Sequence, residues 1–568
     1  MIVFPFEPHY TGMISGGLLP HLFLLVPLLA LACGADLLLR GGRIWRGKGQ
    51  VLPFAGIAVT GNRIVWVGQD VHAAEWIGPR TQVIDLRGRL VLPGFNDAHL
   101  HFLDGGKEQI GLRLRGARSR EEFVALIGRY AAEQPGGTWI TGGNWDHESW
   151  PEGTYPDRRL VDPVTPEHPL FVTRLDGHVA LANSLALRLA GITAATPDPP
   201  GGEIQREPGT GEPTGILKDS ALDLVKRVIP PPPAAEQRRA MEAALQYAAR
   251  NGVTSVQDMS ADDSLPLYQQ LLAEGKLTVR VLAVLQYDRA LEHLRGLNLR
   301  TNFGGPGLRI GALKLFADGS FGAGTALLSQ PYADRSGYSG LALRSEQEIT
   351  QRFRQAARSG VQLCIHAIGD LANERVLNAL EQAGGETGGN PLRHRIEHAQ
   401  LVQDRDILRF QKLRVVASLQ PSHCSDDLRW IERRLGPERC RWAYRVRSFL
   451  DAAVPVAFGT DWPVEDLNPF PGLYAAVTRQ TFSGEPEGGW FPEEKISLDE
   501  AIWAYTCGSA FAENQEGEKG RLEPGMLADL IVLNRDPFQI PSREWLHTKV
   551  DLTVFDGRVV FDRTGESA

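Results

Sequence analysis

The middle of the chain alternates short apolar segments with longer helix-like ones, and this alternation constrains the fold more than any other feature. Eight segments have the length and composition of buried strands, and they cover residues 89–95, 253–258, 279–285, 309–316, 362–366, 393–398, 415–419 and 454–459. The sequence between them is rich in Ala, Leu, Glu and Arg, as in residues 234–250 and 345–359. Eight strands that alternate with helices predict an α/β fold, a (β/α)8 barrel of the TIM type.

Two regions lie outside this pattern. Residues 105–233 separate the first two strands by far more than one helix, so we expect them to form an inserted subdomain after strand one. β-rich segments near both ends of the sequence predict a small β-sandwich assembled from residues 34–90 and 520–565, which would bring the chain ends together. The barrel is then expected over residues 91–519.

The first 33 residues differ in composition from the rest. No Lys, Arg, Asp or Glu occurs from Pro8 to Ala35, and residues 22–32 are almost continuously apolar. The segment ends in an Ala-Leu-Ala sequence, which is typical of a signal peptide cleavage site, although it lacks the usual positive charge at its start. An uncleaved membrane anchor is the alternative, and Cys33 also fits a lipid attachment site. We expect an exported protein, and a cytoplasmic one only if this segment is not a signal.

The overall composition excludes some classes of function. The net charge is −8, the pI is near 6.0 and no dense Lys/Arg cluster occurs, which argues against nucleic-acid binding. The five cysteines include no C-x-x-C pair, so neither a zinc ribbon nor a dithiol motif is expected. The expected partner is a small molecule. A homodimer and attachment to a membrane through the N-terminus are further expectations.

Histidines, a lysine and an aspartate occur where the predicted strands end, which is where barrels of this kind carry their functional residues. His99 and His101 follow the first strand and, two positions apart on an extended chain, point to the same side. Neutral imidazole nitrogens bind metal ions well. The remaining members lie at the C-terminal ends of strands four, five, six and eight, and they are Lys314, His366, His398 and Asp461. Their joint placement predicts a metal site at one mouth of the barrel.

These motifs resemble those of the amidohydrolase superfamily, in the branch that includes the N-substituted formamide deformylases. The resemblance spans about residues 35–563 and includes the two-ended sandwich. It extends to three short segments of the insert, at residues 143–146, 175–184 and 211–215. The resemblance implies a metal-dependent hydrolase.

The resemblance also implies a role for each residue of the predicted site. His99 and His101 would hold one divalent metal, and His366 and His398 a second. Lys314 would bridge the two as a carbamate formed with CO₂, because a bare ammonium facing two dications would be repelled. Asp461 would bind metal and transfer the proton. Zinc is the expected metal, as one or two ions, which would activate a water and polarise a carbonyl group.

Two residues of the insert are candidates for contact with the substrate. His178 lies in a turn-like Asp-Gly-His sequence, and it either bonds the substrate carbonyl or carboxylate or caps local backbone. Trp145 either lines an apolar pocket or packs against Trp150. His147, His394 and His423 are expected behind the metal site or at the surface. Glu397 should point away from the metal, because side chains alternate along a strand.

The expected reaction is hydrolysis of a C–N bond in an amide, formamide or cyclic amide by metal-activated water. A lactone or carbamate ester is an alternative substrate, because substrate choice depends on the insert and the loops. A non-catalytic binding scaffold of the same fold is a second alternative. A scaffold would be expected to have lost metal ligands, whereas all six positions are filled here.

Overall fold

The structure is a computed structural model that describes residues 34–47, 49–387 and 390–565. The predicted signal or anchor at residues 1–33 lies outside the described residues. Within the described ranges, none of the helices combines the length and the apolar character needed to cross a membrane.

The centre of the molecule is a barrel of eight parallel strands that are neighbours in chain order. Numbered one to eight, the barrel strands are Phe95–Leu100, Val253–Asp258, Arg280–Gln286, Leu308–Phe316, Gln362–Ala367, Arg395–His398, Val416–Leu419 and Val456–Phe458. A short strand, Phe303–Gly304, pairs antiparallel with strand four. The predicted (β/α)8 barrel is confirmed.

Helices follow the barrel strands and cover them with a large apolar core. The helix after strand four shows why the sequence forms them: Ser345 and Glu348 make a capping box at its start, and Gly360 ends it in the left-handed conformation. The main helices of the barrel are Phe102–Ile110, Ala234–Arg250, Leu265–Ala273, Tyr287–Gly296, Glu346–Ser359, Asp370–Thr387, Asp404–Leu413, Pro421–Asp427, Ile431–Leu435, Pro437–Cys440, Val446–Asp451, Pro469–Thr478, Leu498–Trp503 and Ser509–Ala512.

The region between barrel strands one and two contains a separate five-stranded sheet, in agreement with the predicted insert. Its strands, in spatial order, are Gly202–Arg206, Pro213–Asp219, Val179–Ala182, Leu170–Arg174 and Ile140–Trp145. The helices of this region are Arg120–Ala132, Arg158–Val161, Ser184–Ala190 and Asp223–Lys226. Two apolar clusters of its own stabilise this subdomain.

Strands from both chain ends form a third sheet of eight strands. They are Leu37–Gly47, Gln50–Thr60, Arg63–Gln69, Gln82–Asp85, Leu90–Pro93, Leu530–Leu533, Val550–Phe555 and Arg558–Asp562. One apolar cluster contains side chains from both ends, for example Leu39 and Val554. The two chain ends therefore share a single core, as the sequence predicted.

The boundary between this sheet and the barrel differs from the prediction. Residues 89–95 were expected to form barrel strand one, but Leu90–Pro93 pairs with strands of the end sheet. The chain then turns at Gly94, and barrel strand one begins at Phe95. The turn requires a glycine, because a Cβ at Gly94 would overlap the buried Thr254 side chain. Composition alone could not show which of two sheets this apolar run joins.

We expect Gly94→Ala to destabilise the protein. The new methyl group cannot be accommodated without moving Thr254 and barrel strand two, and overpacking of this kind costs about 1–3 kcal/mol. Thermal unfolding should show a lower Tm. Gly116→Ala is the matched control, because a Cβ at Gly116 meets no atom within 4 Å. Equal Tm values for the two variants would contradict the close approach at Gly94.

Candidate metal centre

The closure of the barrel brings the candidate ligands of strands one and eight together. The backbone N–H of Asp461 donates to the His99 carbonyl at 2.6 Å, and that of His101 donates to the Trp462 carbonyl at 2.7 Å. As a result, Asp461 Oδ1 lies 3.4 Å from His99 Nε2 and 3.4 Å from His101 Nε2. A carboxylate oxygen thus faces two imidazole nitrogens at the mouth of the barrel.

His398, at the end of strand six, completes a compact cluster. One ligand atom each from His99, His398 and Asp461 lies within 4.8 Å of the others, and all three residues are buried. His398 and Asp461 both have positive φ angles, 73° and 60°. Non-glycine residues rarely adopt this conformation, and such residues concentrate at functional sites.

Hydrogen bonds orient the rings of His99 and His101, at the end of strand one. His99 Nδ1 lies 2.6 Å from Glu397 Oε2, so Nδ1 carries the proton and Nε2 carries a lone pair. His101 Nδ1 lies 3.0 Å from the Ser260 hydroxyl, which can hold that ring in the same way. Burial, followed by the charge of Lys314, lowers the pKa of His99 to about 4. Imidazole nitrogens that converge with a carboxylate oxygen fit a bound cation.

His366 lies next to His398, with ring centroids 4.5 Å apart. His366 Nε2 is 3.0 Å from the Gly319 carbonyl, so Nε2 donates and Nδ1 keeps a lone pair. Nδ1 of His398 is buried and has no hydrogen-bond partner among the residues that the structure describes. Burial, followed by neighbouring positive charge, holds the pKa of both rings well below the ordinary histidine value. Both rings are therefore neutral, as metal ligands must be.

Lys314 extends from strand four into the same cluster. Its Nζ lies 3.2 Å from His99 Nε2 and 4.9 Å from the centroid of the Phe316 ring. Burial lowers the pKa of Lys314. A lowered pKa raises the fraction of neutral amine, which is the form of lysine that reacts as a nucleophile. The structure thus places all six predicted ligand residues at one end of the barrel.

Behind Asp461 lies a chain of charged groups that runs from the buried His423 and Glu465 to the half-buried Arg115. Asp461 Oδ2 is 3.4 Å from His423 Nε2, and His423 Nδ1 is 3.1 Å from Glu465 Oε1. Glu465 accepts from Arg115 at 2.7 Å. Arg115 and Glu465 also line a cavity of about 550 Å³ next to the Asp461 loop. Asp461 Oδ2 therefore contacts His423 on the side of this cavity, while Oδ1 faces His99 and His101.

The insert brings His178 to the centre, but not Trp145. The ring of His178 lies 5.1 Å from that of His366, centroid to centroid. Trp145 is fully buried in the core of the insert, where its Nε1 donates to the Val172 carbonyl and its ring stacks on Trp150. The structure therefore shows the alternative arrangement for Trp145, with its side chain fully buried against Trp150.

The position of Glu397 also differs from the prediction. Alternation along the strand would turn Glu397 away from the metal if His398 faced it. The backbone of His398 leaves the strand conformation at φ 73°, so alternation ends there, and Glu397 points into the barrel beneath His99. Burial alone would raise the pKa of Glu397, but Arg395 and His99 outweigh it and lower the pKa. The positive φ of His398, which the sequence does not reveal, accounts for the inward orientation of Glu397.

Solved structures of the same fold include metal-dependent hydrolases. The chain is similar to an uncharacterized metal-dependent hydrolase from Pyrococcus horikoshii, with a TM-score of 0.72 and 30% identity over 89% of this chain and 99% of that chain. It is also similar to one from Pyrococcus furiosus, with a TM-score of 0.69 and 32% identity over 89% and 100% of the two chains. The barrel and its histidine–aspartate cluster define a metal-dependent hydrolase.

Sequence comparisons give the family. Residues 82–561 match the amidohydrolase family. The chain is 34% identical over 527 residues to the protein LONG AFTER FAR-RED 3 of Arabidopsis thaliana, which covers 90% of this chain and 89% of that protein. It is 30% identical over 528 residues to an N-substituted formamide deformylase of Arthrobacter pascens, which covers 90% and 95%. The chain belongs to the amidohydrolase family, and the resemblance noted from its motifs is confirmed.

We expect Glu397→Gln to weaken metal binding without removing a ligand. The variant loses the charge that fixes the proton on His99 Nδ1, and loss of such a partner typically costs about 10- to 100-fold in metal affinity. Competition with a chelator would measure the change. Glu381→Gln, which removes a charge from an exposed pair with Arg409, is the control. Unchanged affinity in a folded Glu397→Gln protein would show that this carboxylate does not orient His99.

Proposed function

We propose that this protein hydrolyses a C–N bond in an amide, a formamide or a cyclic amide, with zinc as its metal. The observation that carries the proposal is the convergence of His99 Nε2 and His101 Nε2 on Asp461 Oδ1 beside the buried Lys314 amine. The similarity to an N-substituted formamide deformylase supports a C–N bond as the target. Neutral imidazoles with a carboxylate form a donor set that zinc accepts.

Six residues of the centre would hold the metal: His99, His101, Lys314, His366, His398 and Asp461. A divalent metal bound there lowers the pKa of a water and polarises the scissile carbonyl. Lys314 would contribute as a carbamate, whose two oxygens replace the amine and can bridge two ions. Burial lowers the pKa of Lys314 and so raises the neutral fraction of its amine, the form that reacts with CO₂.

Asp461 is the residue placed to transfer the proton. Its Oδ2 is held by His423 at 3.4 Å, which leaves the carboxylate oriented toward the histidines of strand one. Burial alone would raise the pKa of Asp461, but the neighbouring histidines His99, His101 and His423 outweigh it and lower the pKa. The carboxylate can accept a proton from the attacking water and return it to the leaving nitrogen as the C–N bond breaks.

We expect Asp461→Asn to lower kcat by at least about 100-fold, since an amide cannot accept the proton from water. Steady-state kinetics on a hydrolysed amide would measure the loss. Metal analysis belongs in the same experiment, because Asp461 is also a candidate ligand. Asp466→Asn, five residues further on and exposed, is the control. Full activity in Asp461→Asn would exclude the proton-transfer role.

Lys314→Ala should lose metal and activity together, because the vacated site lacks the bridging oxygens of the carbamate. Small carboxylic acids added in solution should partly restore both, since they can occupy that space. Lys314→Arg should not respond to them, because its fixed charge fills the site. Metal content and hydrolysis measured with and without added acid test this. If Lys314→Ala keeps both metals and full activity, Lys314 is no bridge.

A panel of amides, formamides, cyclic amides, lactones and carbamate esters, assayed with and without chelator, separates the candidate substrates. Chelator-sensitive hydrolysis of the C–N substrates alone is the expected result. Preferential turnover of a lactone or carbamate ester would favour the alternative reaction at the same metals. A metal-loaded protein that hydrolyses nothing on the panel would favour the binding scaffold.

A further inference from the structure

Two residues of the insert, joined by a hydrogen bond, lie next to the metal centre. His178 and Asp219 lie at the ends of antiparallel neighbouring strands, Val179–Ala182 and Pro213–Asp219. The Asp219 backbone N–H donates to the His178 carbonyl at 2.8 Å, and His178 Nδ1 lies 2.7 Å from Asp219 Oδ1. A carboxylate accepts only, so Nδ1 carries the proton. The register of the insert sheet therefore fixes one ring nitrogen of His178 and leaves Nε2 for another partner.

Asp219 holds this position in an unfavourable backbone conformation. Its φ of 48° and ψ of −122° match the first central position of a type II′ turn, and that position strongly favours glycine. The side chain is 1% exposed, and its Oδ2 has no hydrogen-bond partner in the part of the chain that the structure describes. A buried carboxylate at a glycine-favouring position destabilises the fold locally. Its presence therefore calls for a role that glycine cannot fill.

The barrel leaves room for this carboxylate next to a metal ligand. A Cβ at Gly319, in the loop after strand four, would come within 3.0 Å of Asp219 Oδ1. The carbonyl of the same Gly319 accepts from His366 Nε2 at 3.0 Å. The His178 ring in turn lies 5.1 Å from that of His366. Gly319 thus hydrogen-bonds a candidate metal ligand and lies next to the carboxylate that holds His178.

We propose that Asp219 is a positioning residue, which holds His178 with Nε2 available to a polar group of an amide-type substrate at the metal centre. The inference rests on the proposed function and extends it to the insert. The insert thus supplies His178 as a residue that contacts the substrate. The carboxylate acts only through His178, and it binds neither metal nor substrate.

Asp219→Gly separates this role from a structural one. Glycine relieves the backbone conformation, so Tm should stay equal or rise, and metal content should not change. The kcat on a hydrolysed amide should nevertheless fall by about 10-fold or more. Asp219→Asn, whose side-chain oxygen can still accept from Nδ1, should recover most of the activity. Glu203→Gln, on the next strand of the insert sheet, is the control for loss of a nearby carboxylate.

A double-mutant cycle with His178→Asn tests whether Asp219 acts through His178. In the His178→Asn background, adding Asp219→Gly should change kcat/KM by less than about twofold, because the group it positions is already absent. The proposal would be overturned if the losses in kcat/KM of the two single variants multiplied in the double variant. It would also be overturned if the kcat/KM of Asp219→Gly lay within twofold of the wild-type value. A crystal structure of Asp219→Gly should show the His178 ring displaced over an unchanged metal centre. An undisplaced ring overturns the proposal even if no amide proves to be a substrate.

Discussion

The barrel closes between its last and first strands, and the metal centre depends on that junction. The Asp461 N–H donates to the His99 carbonyl, so two candidate ligands from opposite ends of the barrel sequence share one backbone hydrogen bond. The buried Asp97 carboxylate strengthens the junction by accepting from the His99 N–H and the Thr460 N–H, each at 3.1 Å. A Cβ at Gly459 would collide with the His99 backbone. Close backbone approach therefore sets the separation between the ligands before any side chain is considered.

Beneath the ligands, a buried ionic network holds the histidine of strand one. Glu397 accepts hydrogen bonds from His99 Nδ1 and from Arg395 Nε, the latter at 2.5 Å. Arg395 also donates to Ser418 Oγ at 3.0 Å. A buried ion pair is stable only when its remaining polar atoms are also satisfied. Because these bonds join strands one, six and seven, the orientation of the His99 ring depends on the whole barrel interior.

Much of this architecture could be predicted because buried parallel strands are short, continuous apolar runs. Seven of the eight barrel strands lie within two residues of their predicted bounds at each end, and Val253–Asp258 matches throughout. The run at residues 90–92 was misplaced because composition does not show which sheet a strand joins. Glu397 was misread because alternation fails at the positive φ of His398. Asp219 gave no sequence signal at all, since its importance arises only where two distant segments meet.

The loop after strand four connects the two parts of the molecule that sequence analysis treated separately. Asp318 accepts from the N–H groups of Ile368 and Gly369, which follow His366 on strand five. Two residues later, Ser320 Oγ donates to Asp176 of the insert at 2.6 Å. The insert is thus bonded to the same loop that positions a metal ligand. Under the proposed function, we expect substitutions within the insert to change substrate choice without moving the ligands, provided that this loop keeps its hydrogen bonds on both sides.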